Sequence, residues 1–119
     1  MTVDGASTLT GALTDGRRIF TASAQTTLGA GLSNDGTLDI DAAVLGGQTL
    51  TNTGTATIGA NITGSFVQNT DAAATTTVDG VANVSGGLDI DTGTLTVSAA
   101  LTGEGDVAGG ASYGQDDGL

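Results

Sequence analysis

One short element recurs along the chain, and its spacing constrains the fold more than any other feature. Gly16-Arg17-Arg18-Ile19-Phe20 is followed by Gly36-Thr37-Leu38-Asp39-Ile40 and Gly54-Thr55-Ala56-Thr57-Ile58. Ala74-Thr75-Thr76-Thr77-Val78 and Gly93-Thr94-Leu95-Thr96-Val97 complete the series. The first positions are 16, 36, 54, 74 and 93, so the steps are 20, 18, 20 and 19 residues. Apolar and polar residues alternate within each element, as in a half-buried strand. Leu95 and Val97 are expected to face inward, and Thr94 and Thr96 outward. No segment of ten residues carries a helical period, and Thr and Val favour strands.

The flanks repeat too. Leu13, Leu32, Leu50, Phe66 and Leu88 precede successive elements, while Leu28, Leu45, Ile62, Val84 and Leu101 follow them, each shortly before glycine. The opening Val3–Leu13 matches Val78–Leu88 position for position. Phe66 to Ala73 looks like a slightly enlarged turn. A unit of this size cannot bury its apolar face alone, but stacked copies can, with rungs about 4.8 Å apart. Asn34 and Asn52 fall at equivalent turn positions, where stacked amides can bond along the column. The expected fold is all-β: a short parallel β-solenoid of about five rungs of 18–20 residues. An intertwined trimeric β-prism and a β-sandwich of short strands answer to the same pattern. Residues 1–108 form the β-repeat domain. Residues 109–119 are expected to leave it as a flexible or partner-docking tail, with Tyr113 as the anchor of any docking.

Composition narrows the functions. The only aromatic residues are Phe20, Phe66 and Tyr113, and there are 21 glycines, which suits thin repetitive layers. Thirteen acids face only Arg17 and Arg18, for a net charge of −11. Binding to nucleic acid or to an anionic membrane needs the opposite sign. Without His or Cys the usual nucleophile–base pairs and zinc sites are missing. Asp39 with Asp41, and Asp89 with Asp91, alternate on one strand face, a pairing of carboxylates that glycoside hydrolysis uses, but aromatic sugar platforms are wanting. They are expected to be solvated acids, in a chain that is not an enzyme and has no resident cofactor. Calcium is the one cofactor with ligands on offer, from these acids and from Gly103-Glu104-Gly105-Asp106.

Two surfaces stand out. Thr55 with Thr57, Thr75 with Thr77, and Thr94 with Thr96 would stack into an outward array, extended imperfectly by Thr37 and Asp39 and interrupted by Arg17 and Ile19. Arg17 and Arg18, the only basic spot, either pair with an acid on a neighbouring rung or mark a docking contact.

Leu50-Thr51-Asn52-Thr53-Gly54-Thr55-Ala56-Thr57-Ile58 resembles the repeats of secreted bacterial β-helix adhesins and autotransporter passengers. Thr2 to Leu13 looks equally like repeats of bacteriophage tail fibres and virion decoration proteins. The resemblance covers nearly the whole chain and transfers no functional residue. It implies a non-enzymatic structural protein of a virus particle, either a capsid decoration or a fibre-like component. The alternative is a fragment of a secreted adhesin at the bacterial surface; a regular Thr array also resembles that of antifreeze proteins, which implies ice binding. Met1-Thr2-Val3-Asp4 has no basic start and apolar run. A virion protein needs no export signal, which favours that reading if Met1 is the native start. Open edges at the ends of a solenoid invite self-association. The expected partners are therefore copies of the chain, a trimer being one form, and other virion or surface proteins.

Overall fold

The computed structural model describes residues 1–14, 16–68 and 70–103, and the strand backbones Gly105–Val107 and Ser112–Gln115. The described residues are all-β, and consecutive turns of one chain stack into a β-solenoid of about five turns. The first wall holds, in stacking order, Thr2–Val3, Ile19–Ala22, Thr37–Ile40, Thr55–Ile58, Thr75–Val78, Thr94–Val97 and Ser112–Gln115. The second runs through Ser7–Leu9, Thr26–Leu28, Val44–Asn52, Ile62–Gln68, Gly87–Ile90 and Gly105–Val107. Leu13–Thr14 and Leu32–Asn34 continue it beside Val44–Asn52. Ala82–Asn83 and Leu101–Thr102 form a small third ladder. Parallel pairing between successive turns rules out the sandwich, whose sheets are antiparallel.

Register explains the core. Ala22, Ile40, Ile58, Val78 and Val97 form one column and all are fully buried. On the opposite wall Leu13, Leu32, Leu50, Phe66 and Leu88 align as their flank positions predict. Because a parallel stack places like on like, each inward residue rests on its counterpart in the next turn, and aliphatic side chains with Phe20 and Phe66 make up the buried cluster.

Three assignments from sequence need correction. Ile19 pairs with Thr37, so Arg18 rather than Gly16 occupies the position of Gly36, and the first step is 18 residues, not 20. The slip is of two residues, which leaves Phe20 facing inward either way; alternation cannot detect it. Val44, not Leu45, pairs with Ile62 and is buried, while Leu45 is half-exposed. A register shift follows, at Gly46 and Gly47, whose φ angles of 115° and 70° accommodate the irregularity. Leu101 pairs with Ala82, and Val84 bridges to Ile62 instead. Of the expected tail, Ser112–Gln115 pairs in parallel with Thr94–Val97, placing Tyr113 in register with Leu95. The Tyr113 side chain and the rest of 109–119 lie outside the described residues.

The expected amide column is present, and it is longer than the sequence suggested. Asn34 Nδ2 donates to Asn52 Oδ1 at 2.7 Å, and Asn52 Nδ2 donates to Gln68 Oε1 at 2.9 Å. All three side chains are buried. Asn34 and Asn52 each accept the N–H two residues on, from Gly36 at 3.2 Å and Gly54 at 3.1 Å, closing the turns. Above Gln68 the next rung places Ile90, which offers no amide. Gln68 Nε2 turns to backbone instead, donating to Thr92 O at 2.9 Å and Thr94 O at 3.3 Å. Buried Thr76 closes the network by donating to Gln68 Oε1 at 2.6 Å.

Candidate functional site

Among the described residues the inward apolar side chains form one buried cluster, and the candidate site residues lie on the outer faces. On the first wall the predicted threonines do assemble. Thr55, Thr75 and Thr94 stand in register in one exposed column, and Thr57, Thr77 and Thr96 form a half-exposed column beside it. Rungs repeat at about 4.8 Å, and the two columns stand about 6.7 Å apart along the strand. Thr75 Oγ1 donates to Thr55 Oγ1 at 3.5 Å. The corrected register changes the lower rows. Ile19, not Arg17, lies in the first column beneath Thr37, and Thr21 and Thr2 extend the second beneath Asp39. Thr2 and Thr21 escaped sequence analysis because the first element was aligned two residues early.

The two Leu-Asp-Ile-Asp segments do not meet. Asp39 lies on the first wall and Asp89 on the second, in register with Val67. Asp39 gathers instead with Asp41 and Asp79 at the corner that ends the first wall. Desolvation raises the Asp39 pKa above its ordinary value, reinforced by the charge of Asp41, a hydrogen bond with it, and the charge of Asp79. Asp91 is raised in the same way, by desolvation and then by Asp89. Among the described residues no group of three acids is arranged to hold a metal ion. Glu104 and the Asp106 side chain lie outside the described residues.

The sign of the Asp39 shift sets a prediction. A carboxyl that binds its proton more tightly when folded destabilises the fold once pH rises above its unfolded pKa. Asp39→Asn is therefore expected to raise the melting midpoint at pH 7. The gain should fade as pH falls through the range where Asp39 itself becomes protonated. Melting both proteins from pH 3 to 8 checks this; a constant difference across that range would contradict it.

Arg17 and Arg18 are exposed at the turn leading into the second rung. Gly16 and Arg17 both take left-handed backbone, with φ of 62° and 65°. The Arg17 N–H donates to Asp35 Oδ1 at 2.5 Å, tying this turn to the rung above. Comparison of the chain with protein-family models, curated proteins and solved structures finds no match.

Proposed function

We propose that this chain is a non-enzymatic structural component of a virus particle, a capsid decoration or fibre-like element that acts through assembly and surface contact. The observation that supports this most is the stack itself: walls of repeated short side chains in parallel register from turn to turn. Such a body offers extended, repetitive surfaces to neighbours. The fragment of a bacterial surface adhesin remains the alternative, since it calls for the same architecture.

Gold-labelled antibody against the chain, applied to cells that carry its gene, separates the two. Label on particles of uniform size is the expected result. Label on the cell envelope would transfer the assignment to the adhesin, and label dispersed in the cytosol would overturn both.

The in-register threonines favour a second reading, ice binding. Under it the purified protein shows thermal hysteresis that Thr77→Lys, at the centre of the array, abolishes. Ordinary ice growth in the parent protein would remove this reading.

A further inference from the structure

Arg17 and Arg18 form the one sequence motif that the stacking of the solenoid does not use. They are the only basic side chains of the chain, and they are adjacent. Their turn also departs from the others in backbone. Arg17 is the only non-glycine residue with left-handed backbone among the described residues, and it follows Gly16 in the same conformation. A residue that carries a Cβ adopts this conformation at a cost and keeps it where structure or function requires it. Register shows what sets the turn apart. Leu13 pairs with Leu32 and Ile19 with Thr37, so the turn holds one residue more than the turn above it. That turn matches Leu50 to Thr55 without any such addition.

Gly16, Arg17, Arg18 and Ile19 make a continuous exposed run. The exposure belongs to the place in the turn. Asp35, the counterpart of Arg17 one turn higher, has turns both beneath and above it and is exposed as well. The run is tied to that higher turn by the bond from Arg17 N–H to Asp35 and by Thr37 N–H to Arg18 O at 2.9 Å. Opening residues 16–19 locally moves no buried side chain, so it leaves the core intact.

Chemistry selects what reads this run. A partner that docks by charge needs several cations on one face, whereas here the carboxylate of Asp35 stands beside the pair in an acidic chain. A protease pocket with a carboxylate at its base takes a single guanidinium. With no Lys and no other Arg, such a pocket finds a cleavable bond at this turn alone.

We propose that this turn is a processing site, at which an endoprotease selective for basic residues hydrolyses the Arg18–Ile19 bond. Water adds across the peptide, leaving a carboxylate on Arg18 and an ammonium group on Ile19. The cut separates everything up to Arg18 from the chain that follows. Ladder bonds such as Thr21 N–H to Met1 O and Ser7 N–H to Gln25 O hold the two pieces together until the first is displaced. The inference stands apart from the choice between virus particle and cell surface.

Two measurements test it, trypsin digestion of the folded protein and mass spectrometry of the chain recovered from the cells or particles that carry it. Trypsin in native buffer is expected to convert the protein fully to pieces that part at Arg17 or Arg18, with no loss of circular dichroism. The variant carrying both Arg17→Gln and Arg18→Gln should stay whole. The recovered chain should begin at Ile19. Trypsin that cuts only where urea unfolds the protein would overturn the proposal, because the turn would then be closed in the folded chain. Recovered chains intact across Arg18–Ile19 would overturn it as well, whatever trypsin does.

Discussion

Asn52→Ala is expected to lower the melting midpoint by roughly 10–15 °C, from a loss of about 2–4 kcal/mol. Asn52 is fully buried, and its one amide serves three rungs. Its oxygen accepts from Asn34 and Gly54, and its nitrogen donates to Gln68, to Thr75 O at 3.0 Å and to Thr76 Oγ1 at 3.2 Å. Truncation leaves the Gly54 N–H and the Thr75 carbonyl without this partner in a place water reaches poorly. It also opens a cavity between Asn34 and Gln68, which flank Asn52 in the stack. Thr51→Ala, one residue away on the outer face, should cost well under 1 kcal/mol.

Asn52→Asp tests the same network through pH. A carboxylate there would set a negative oxygen against Gln68 Oε1 and the Thr75 carbonyl, both acceptors. Burial and these neighbours must raise its folded pKa above the unfolded value of about 3.9. The folded state then holds the proton more tightly. Stability is present below that unfolded pKa and falls as pH rises, by up to about 1.4 kcal/mol per unit, until the folded pKa is passed. The variant should melt higher at pH 4 than at pH 7, relative to wild type measured at the same two values.

Gly54→Ala is the second large effect, expected to cost about 3 kcal/mol or more. A Cβ on Gly54 would sit 2.3 Å from the Gly36 carbonyl oxygen and 2.8 Å from the Asp35 carbonyl carbon. Both are backbone atoms, so the rungs themselves must separate. Separation strains the bonds that flank the site, Thr53 N–H to Asn34 O and Thr55 N–H to Gly36 O, each 2.8 Å. The position one rung higher gives the control. Thr75 pairs with Thr55, so Ala74 stacks on Gly54 and is buried there with its methyl group intact. That step is 20 residues rather than 18, and its larger turn is closed by Ala73 N–H to Asp71 Oδ1 at 2.9 Å. Ala74→Gly should cost only about 1 kcal/mol, from backbone freedom and a lost methyl contact. Urea unfolding of the two variants measures the contrast; equal losses would contradict the stacking.

The columns most legible in the sequence were those where a large apolar residue stands beside a distinctive polar turn. Leu32 and Leu50 precede Ser-Asn-Asp-Gly and Thr-Asn-Thr-Gly, and their register is the one the structure adopts. Asn34 and Asn52 were legible for the same reason. Gln68 was not, because the turn after Phe66 is longer and an added methylene carries its amide to the position Asn holds elsewhere. Counting from Phe66 as the partner of Leu50 would have found it. The second rung is misread in the sequence because Arg18 replaces the glycine of later rungs while Gly16 stands two residues earlier. A slip of two residues preserves every inward and outward face. Leu45 misled because its size suggested the core, whereas the glycines after it break the alternation and leave Val44 inside. The outer threonine columns followed from the strand pattern, but a repeated surface names no partner, and functional assignment was correspondingly less legible than fold.

The central claim is that successive turns of one chain stack in this register around an amide column. Nuclear Overhauser contacts of the Asn52 side-chain amide test it most directly. The account predicts cross-peaks from those two protons to Asn34 on one side and to Gln68 and Thr76 on the other, with slow exchange against solvent. Asn52 amide protons that exchange freely and show contacts only to residues near 52 in sequence would contradict it.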